Sequence, residues 1–162
     1  FGDICYPGDS INEKYLEDIL VGYRWHDTKK IAPKYSFGHG LSYTDFTYGK
    51  AELSSKTIAA DGSITLSIPV TNTGKSAGKE VVQLYIGDDK ASVFRPLKEL
   101  KGFSKISLAP GETKNVTFTI TPDDLKFYDE TTKGWIAEPG KFTAYVGSSS
   151  TDIRAKATFD YK

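Results

Sequence analysis

One cysteine, no methionine and only two histidines occur in 162 residues. With Cys5 alone, no disulfide forms within the chain, and the redox compartment stays open: secreted, periplasmic and cytoplasmic settings all fit. His26 and His39 show no metal-ligand spacing with Cys5 or with each other, so no metal or other cofactor is expected. No charge is in excess either, because Lys plus Arg and Asp plus Glu number 21 each. Such a balance supplies no field for nucleic acid or an anionic membrane, and neither is expected as a partner. No apolar run reaches membrane-spanning length, and Phe1 does not open a signal peptide. A nucleophile elbow and a phosphate-cradling loop are also missing; Gly38-His39-Gly40 is too short and lacks the flanking strand and helix. Without an initiator methionine, the chain reads as a piece of something longer.

What is present is the palette of β-structure: 13% aromatics, with recurring Thr, Ser and Gly. Ile64, Leu66, Ile68 and Val70 alternate with Ser63, Thr65, Ser67 and Thr71, the period of a half-buried strand. Val82, Leu84 and Ile86 form another inward set, opposed by Val81, Gln83 and Tyr85. Leu100 to Leu108 makes a further strand, closed by the type II turn sequence Ala109-Pro110-Gly111-Glu112. Val116, Phe118 and Ile120 point inward in the next, and Pro122-Asp123-Asp124-Leu125 forms a short helical turn. Glu138-Pro139-Gly140-Lys141 repeats the turn chemistry before Phe142, Ala144 and Val146. The last strand sets Ile153, Ala155, Ala157 and Phe159 inward. About seven strands with regular turns predict an all-β, immunoglobulin-like sandwich from about Asp45 to the end. No Cys-Trp-Cys pattern of an antibody domain accompanies them.

The stretch from Tyr35 to Phe46 joins this sandwich to what precedes it. Phe37, Leu41, Tyr43 and Phe46 crowd around Gly38 and Gly40, which predicts a packed seam with those side chains mostly buried. Gly38 or Gly40 is expected at a φ that other residues avoid. Upstream, Tyr6-Pro7-Gly8-Asp9 reads as a turn, and Ser10 with Glu13 as a capping box for a helix over Ile11–Asp18. Ile19 to Trp25 is apolar on both parities and reads as a strand buried on both faces, paired with a sheet that the chain itself does not hold.

Few residues offer chemistry. The pairs Asp88-Asp89 and Asp123-Asp124 have the form of a glycosidase or calcium site, but carboxylates flanked by Gly or Pro read more simply as solvated turn residues. Trp25, Tyr128, Trp135 and Tyr145 have the form of a sugar-stacking set, though packing explains most of them. Asn115-Val116-Thr117 is a glycosylation sequon on an outward strand face.

Several motifs occur in one order: Val21-Gly-Tyr-Arg-Trp-His-Asp27, Phe37-Gly-His-Gly-Leu-Ser-Tyr43, Val70-Thr-Asn-Thr-Gly74, Gly78-Lys-Glu-Val-Val-Gln-Leu-Tyr85, Arg95-Pro-Leu-Lys-Glu-Leu-Lys-Gly-Phe103 and Leu108-Ala-Pro-Gly-Glu112. From about Tyr6 to Phe159 they resemble the C-terminal portion of glycoside hydrolase family 3, the β-glucosidase and β-xylosidase group. The resemblance implies a fibronectin type III-like sandwich over 45–162, and a tail and linker of the preceding α/β domain over 1–44. It departs from the common pattern at Asp18, where glycine is usual, and at His39, where tyrosine is usual. It also implies that the nucleophile Asp and acid/base Glu of retaining hydrolysis lie in a barrel and a loop with no counterpart here, so no residue is carried over as catalytic. The expected role is a structural module that buttresses the catalytic domains and reaches β-glucoside substrate only through them. Tyr23, Arg24, Trp25, Phe37, Gly38, Gly40, Leu41, Tyr43 and Phe46 are the expected domain interface. Phe94 and Arg95, on the long loop from Asp88 to Pro96, are the candidates for reaching the cleft rim. The alternatives are a stand-alone carbohydrate-binding or protein-binding module.

Overall fold

A computed structural model describes residues 11–162. Cys5, Ser10 and the turn expected at Tyr6–Asp9 lie outside the described residues. The chain enters through a seven-residue helix α1 (Tyr23–Lys29) and then forms β1 (Phe46–Tyr48), β2 (Glu52–Leu53), β3 (Thr57–Ile58), β4 (Ile64–Asn72), β5 (Gly78–Asp88) and β6 (Glu99–Leu108). After these come β7 (Thr113–Ile120), a 3-10 turn (Pro122–Leu125), β8 (Phe127–Asp129), β9 (Gly134–Ile136), β10 (Gly140–Gly147) and β11 (Ile153–Tyr161).

Two sheets pack face to face. In the first, β4 is central, with β7 along one side and the short β1 and β2 on the other. The second runs β3-β11-β10-β5-β6, antiparallel except where β3 pairs parallel with β11. β8 and β9 make a separate hairpin. The expected alternation holds in β4, where Ile64, Leu66, Ile68 and Val70 are buried, and in β7, where Val116, Phe118 and Ile120 are. They meet Val82, Leu84, Ile86, Phe142, Ala144, Val146 and Phe159 from the other sheet in one core. Burial of side chains of this size is worth roughly 1.5–3 kcal/mol each, which makes this layer the main source of stability. Phe142 and Phe159 are cross-strand partners with stacked rings 5.9 Å apart.

Punctuation falls where the turn chemistry requires. Gly111 takes φ 74° as the type II turn demands, and Glu112 N–H donates to Ala109 O at 3.0 Å. Gly102, on β6, faces the ring of Phe118 across the sandwich, where an added Cβ would stand 3.2 Å from it.

Two expectations upstream are corrected. No helix forms over residues 11–18; turns occupy 16–19 and Asp18 sits at φ 53°, a left-handed conformation that ends any helix. This is one of the two positions that depart from the family pattern, and the backbone there is of the kind glycine adopts most readily. The strand expected over Ile19–Trp25 is absent too. Gly22, at φ 63° and ψ −126°, turns the chain into α1 instead. The apolar parity of Ile19 to Val21 misled, because the periodicity that matters is polar. Tyr23, Arg24, Asp27 and Thr28 share one face of α1 and all bind the sandwich.

Candidate functional site: the arm on the sandwich face

β5 is the strand on which the site is built. Its inward set was expected, but the outward residues Gln83 and Tyr85 are also buried, because residues 23–39 lie over them. Tyr23 sets its ring 5.6 Å from that of Tyr85, edge to face, and 5.0 Å from Phe37. Its hydroxyl accepts a hydrogen bond from Leu100 N–H at 2.8 Å. Thr28 Oγ1 accepts from Leu97 N–H at 3.2 Å. Arg24 pairs with Glu99 at 3.1 Å, and the Lys98 ammonium, over the Tyr85 ring, pairs with Asp27. Both partners of that last pair are nearly out of solvent. Removing either therefore strands a charge, which costs far more than a surface pair would. Burial, with Tyr23 and Asp27 nearby, pushes the Tyr85 hydroxyl well above its usual range.

Further along, Ser150 N–H donates to Phe37 O at 2.9 Å, and Ser36 Oγ donates to Ser149 Oγ at 3.3 Å. Gly38 sits at φ 82°, and a Cβ there would come within 2.3 Å of Gln83 Nε2. That amide is held at both ends: Nε2 donates to Ser148 O at 2.6 Å and Oε1 accepts from Tyr85 Oη. Of the two glycines expected to be special, Gly38 is the one. Gly40 has ordinary φ, and nothing lies within 4 Å of its Cβ position.

The chain then enters the sandwich at a polar hub. Asn72 is fully buried, and its side chain makes four hydrogen bonds: Oδ1 accepts from Thr44 Oγ1 and Gly74 N–H, while Nδ2 donates to Ser76 O and Leu108 O. The close approach of Thr44 explains the glycines of two motifs, because a Cβ on Gly74 or Gly78 would lie 2.2 or 2.5 Å from its side chain.

The expected seam is only partly buried. Phe46 is in the core and Phe37 is half-covered, but Leu41 and Tyr43 stand free of the chain, 95% and 101% exposed. Glycine-rich spacing told that the stretch turns, not which way its aromatics point. Trp25 lies beside Lys29, whose ammonium is 5.2 Å from the ring. His39, the second departure from the family pattern, rests 5.6 Å from the Tyr35 ring.

Phe94 and Arg95 part company. Phe94 is exposed at the crest of the β5–β6 loop, whereas Arg95 turns inward with 9% of its side chain exposed. The guanidinium donates to Leu125 O, Asp88 and Glu99 at 3.1, 3.4 and 3.2 Å and covers the Phe127 ring. Asp88, whose side chain is 3% exposed, is held above its ordinary carboxyl range by burial, which outweighs the opposing effects of the Lys90 N–H and Arg95. The paired carboxylates have structural partners. Asp89 accepts from Thr143, Asp124 from the N–H and hydroxyl of Thr121, and Asp123 pairs with Lys126. Sequence reasoning missed Lys98, Asp27 and Glu99 as arm fasteners. Their signal, a charged run Lys98-Glu99 opposite Arg24 and Asp27, becomes visible only once the two segments are brought together.

The two packed sheets make an all-β sandwich, and the family model Fibronectin type III-like domain matches residues 80–150 of it. The chain is 58% identical over 161 residues to the β-glucosidase BoGH3A of Bacteroides ovatus, covering 99% of this chain and 22% of that protein. It is 48% identical to thermostable β-glucosidase B of Acetivibrio thermocellus, over 93% of this chain and 20% of that one. In structure it matches a β-glucosidase of Bifidobacterium adolescentis with TM-score 0.89 and 36% identity, over 97% of this chain and 23% of the other. The chain corresponds to the C-terminal region of the glycoside hydrolase family 3 β-glucosidases and spans about a fifth of the length of those curated relatives.

Proposed function

We propose that this chain is the C-terminal structural module of a retaining β-glucosidase acting on terminal β-D-glucosyl residues. Residues 1–44 are the tail of its α/β domain and 45–162 the sandwich that buttresses it. One observation carries the reading. Residues 23–39 are fastened to the sandwich by two ion pairs and the Tyr23 cluster, while Leu16, Val21, Leu41 and Tyr43, just before and after that segment, leave their apolar surface exposed. A strap polar and fastened on one side, apolar and bare on the other, suits a segment shared between two bodies. The remaining barrel and α/β domains supply the missing cover, through an interface of roughly 600–1,500 Å². They also supply both catalytic carboxyls. Phe94, on a loop pinned by Arg95 so that its crest keeps one position, is the residue set to reach the cleft rim.

The test is to truncate the longer enzyme before Phe1 and, separately, before Asp45. Each truncation is expected to lower the melting temperature and abolish turnover of an aryl β-glucoside, whereas Phe94→Ala leaves melting unchanged and alters KM. Truncated enzymes with unaltered melting and turnover would refute the buttress.

A further inference from the structure

A second aromatic surface lies away from the arm, on the β8–β9 hairpin. Tyr128 and Trp135 are register partners and meet edge to face with centroids 5.8 Å apart. Trp135 is 67% exposed and Tyr128 half-exposed. The hairpin end is fixed: Asp129 Oδ2 accepts from Thr132 N–H at 2.8 Å, and Lys133 takes φ 52° to close the turn. The indole forms one wall of an open cleft of about 520 Å³, whose other walls carry Asp61, Thr121, Asp123, Lys126 and Tyr161. Lys126 and Asp123 neutralise each other at 2.6 Å.

This combination selects a chemistry. A rigid, braced, exposed indole offers a flat apolar face, and the neighbouring hydroxyls, carboxylates and amine offer donors and acceptors around it. An apolar peptide would desolvate the Asp123–Lys126 pair without replacing its water, and a phosphate would find no net positive field. A neutral pyranose satisfies both parts, stacking its C–H face on the ring while its equatorial hydroxyls reach the polar wall. We propose that this cleft binds a neutral oligosaccharide of β-linked pyranoses, with Trp135 as the stacking platform and Tyr128 as its brace. The stacking stands on the cleft alone; the choice of β-linked units rests on the function proposed above. Hydroxyl-rich chains longer than the product of hydrolysis would thereby be held beside the enzyme.

The chain is titrated calorimetrically with cellotetraose, laminaritetraose and xylotetraose, and with maltotetraose as the α-linked control. Binding with Kd on the order of 1 mM is expected for at least one β-linked sugar. Trp135→Ala should weaken it at least tenfold, about 1.4 kcal/mol, while Trp135→Phe retains most of it. Circular dichroism should show both variants folded, since the side chain is exposed. Trp25→Phe, which leaves Trp135 as the sole tryptophan, should bind normally and report the sugar through its emission. Absence of saturable binding, undiminished binding by Trp135→Ala, or equal affinity for maltotetraose would overturn the proposal. Each of these failures leaves the truncation phenotype untouched, so the two readings fall separately.

Discussion

Replacing Gly38 by alanine tests how the arm is held. At φ 82° a side chain costs about 1–2 kcal/mol of backbone strain. The new Cβ would also stand 2.3 Å from Gln83 Nε2. A glutamine end usually swings aside cheaply, but this one is 3% exposed and bonded to Ser148 O and Tyr85 Oη. Displacing it leaves a buried amide unpaired, a further cost of about 1–3 kcal/mol. The total, about 2–5 kcal/mol, falls on arm docking and not on the core, since Gln83 faces away from Val82 and Leu84. Hydrogen exchange read by mass spectrometry should then show residues 23–39 opening about 30-fold or more often, with β4, β7 and β10 protected as before. Gly40→Ala, with open space and an ordinary φ, should change nothing. Equal protection in the two variants, or a loss spread evenly over the sandwich, would refute the reasoning.

Arg95→Met should destabilise the sandwich by about 3–5 kcal/mol in a denaturant melt, because Asp88 loses its cation where water cannot replace it. The loss should shrink in acid as Asp88, whose carboxyl burial holds above its ordinary range, takes up a proton. Glu80, held above its ordinary range chiefly by burial, binds its proton more tightly folded than unfolded. Its ionisation therefore costs stability as pH rises from the unfolded carboxyl value through the folded one. Glu80→Gln should raise Tm at neutral pH and leave it unchanged at about pH 3, where both states are protonated.

The sandwich was legible in the sequence because several of its strands are buried on one face only. Period-two alternation in β4 and β7 is the direct imprint of a core on one side and water on the other. Turns were legible for a similar reason, since Pro110 and Gly111 answer to local backbone geometry alone. The arm was not, because its conformation is set by a surface far away in sequence, on β5 and residues 97–100. Tyr23, Arg24, Asp27 and Thr28 make a helical stripe only in relation to residues 97–100, and their polarity hid it behind the apolar run at Ile19–Val21. The large side chains of the seam failed likewise: Leu41 and Tyr43 are bare within this chain, and no pattern in the sequence tells whether an apolar residue packs within its own chain or against another body. Trp135 was flagged among four aromatics, but only the hairpin register shows that Tyr128 stands beside it.

The parallel pairing of β3 with β11 has a consequence in time. Thr57 and Ile58 lie beside Asp160 and Tyr161, joining segments about 100 positions apart in sequence. β11 fills the place between β3 and β10, so the second sheet has no continuous hydrogen-bonded ladder until it arrives. On a ribosome, β3 and the free edge of β10 must therefore wait, with Phe142 lacking its stacked partner Phe159, for β11 to emerge. Such distant pairings are slow to form. The arm that precedes them docks only after much later segments exist, since the β5 face it grips becomes a surface when β6 and β10 flank it.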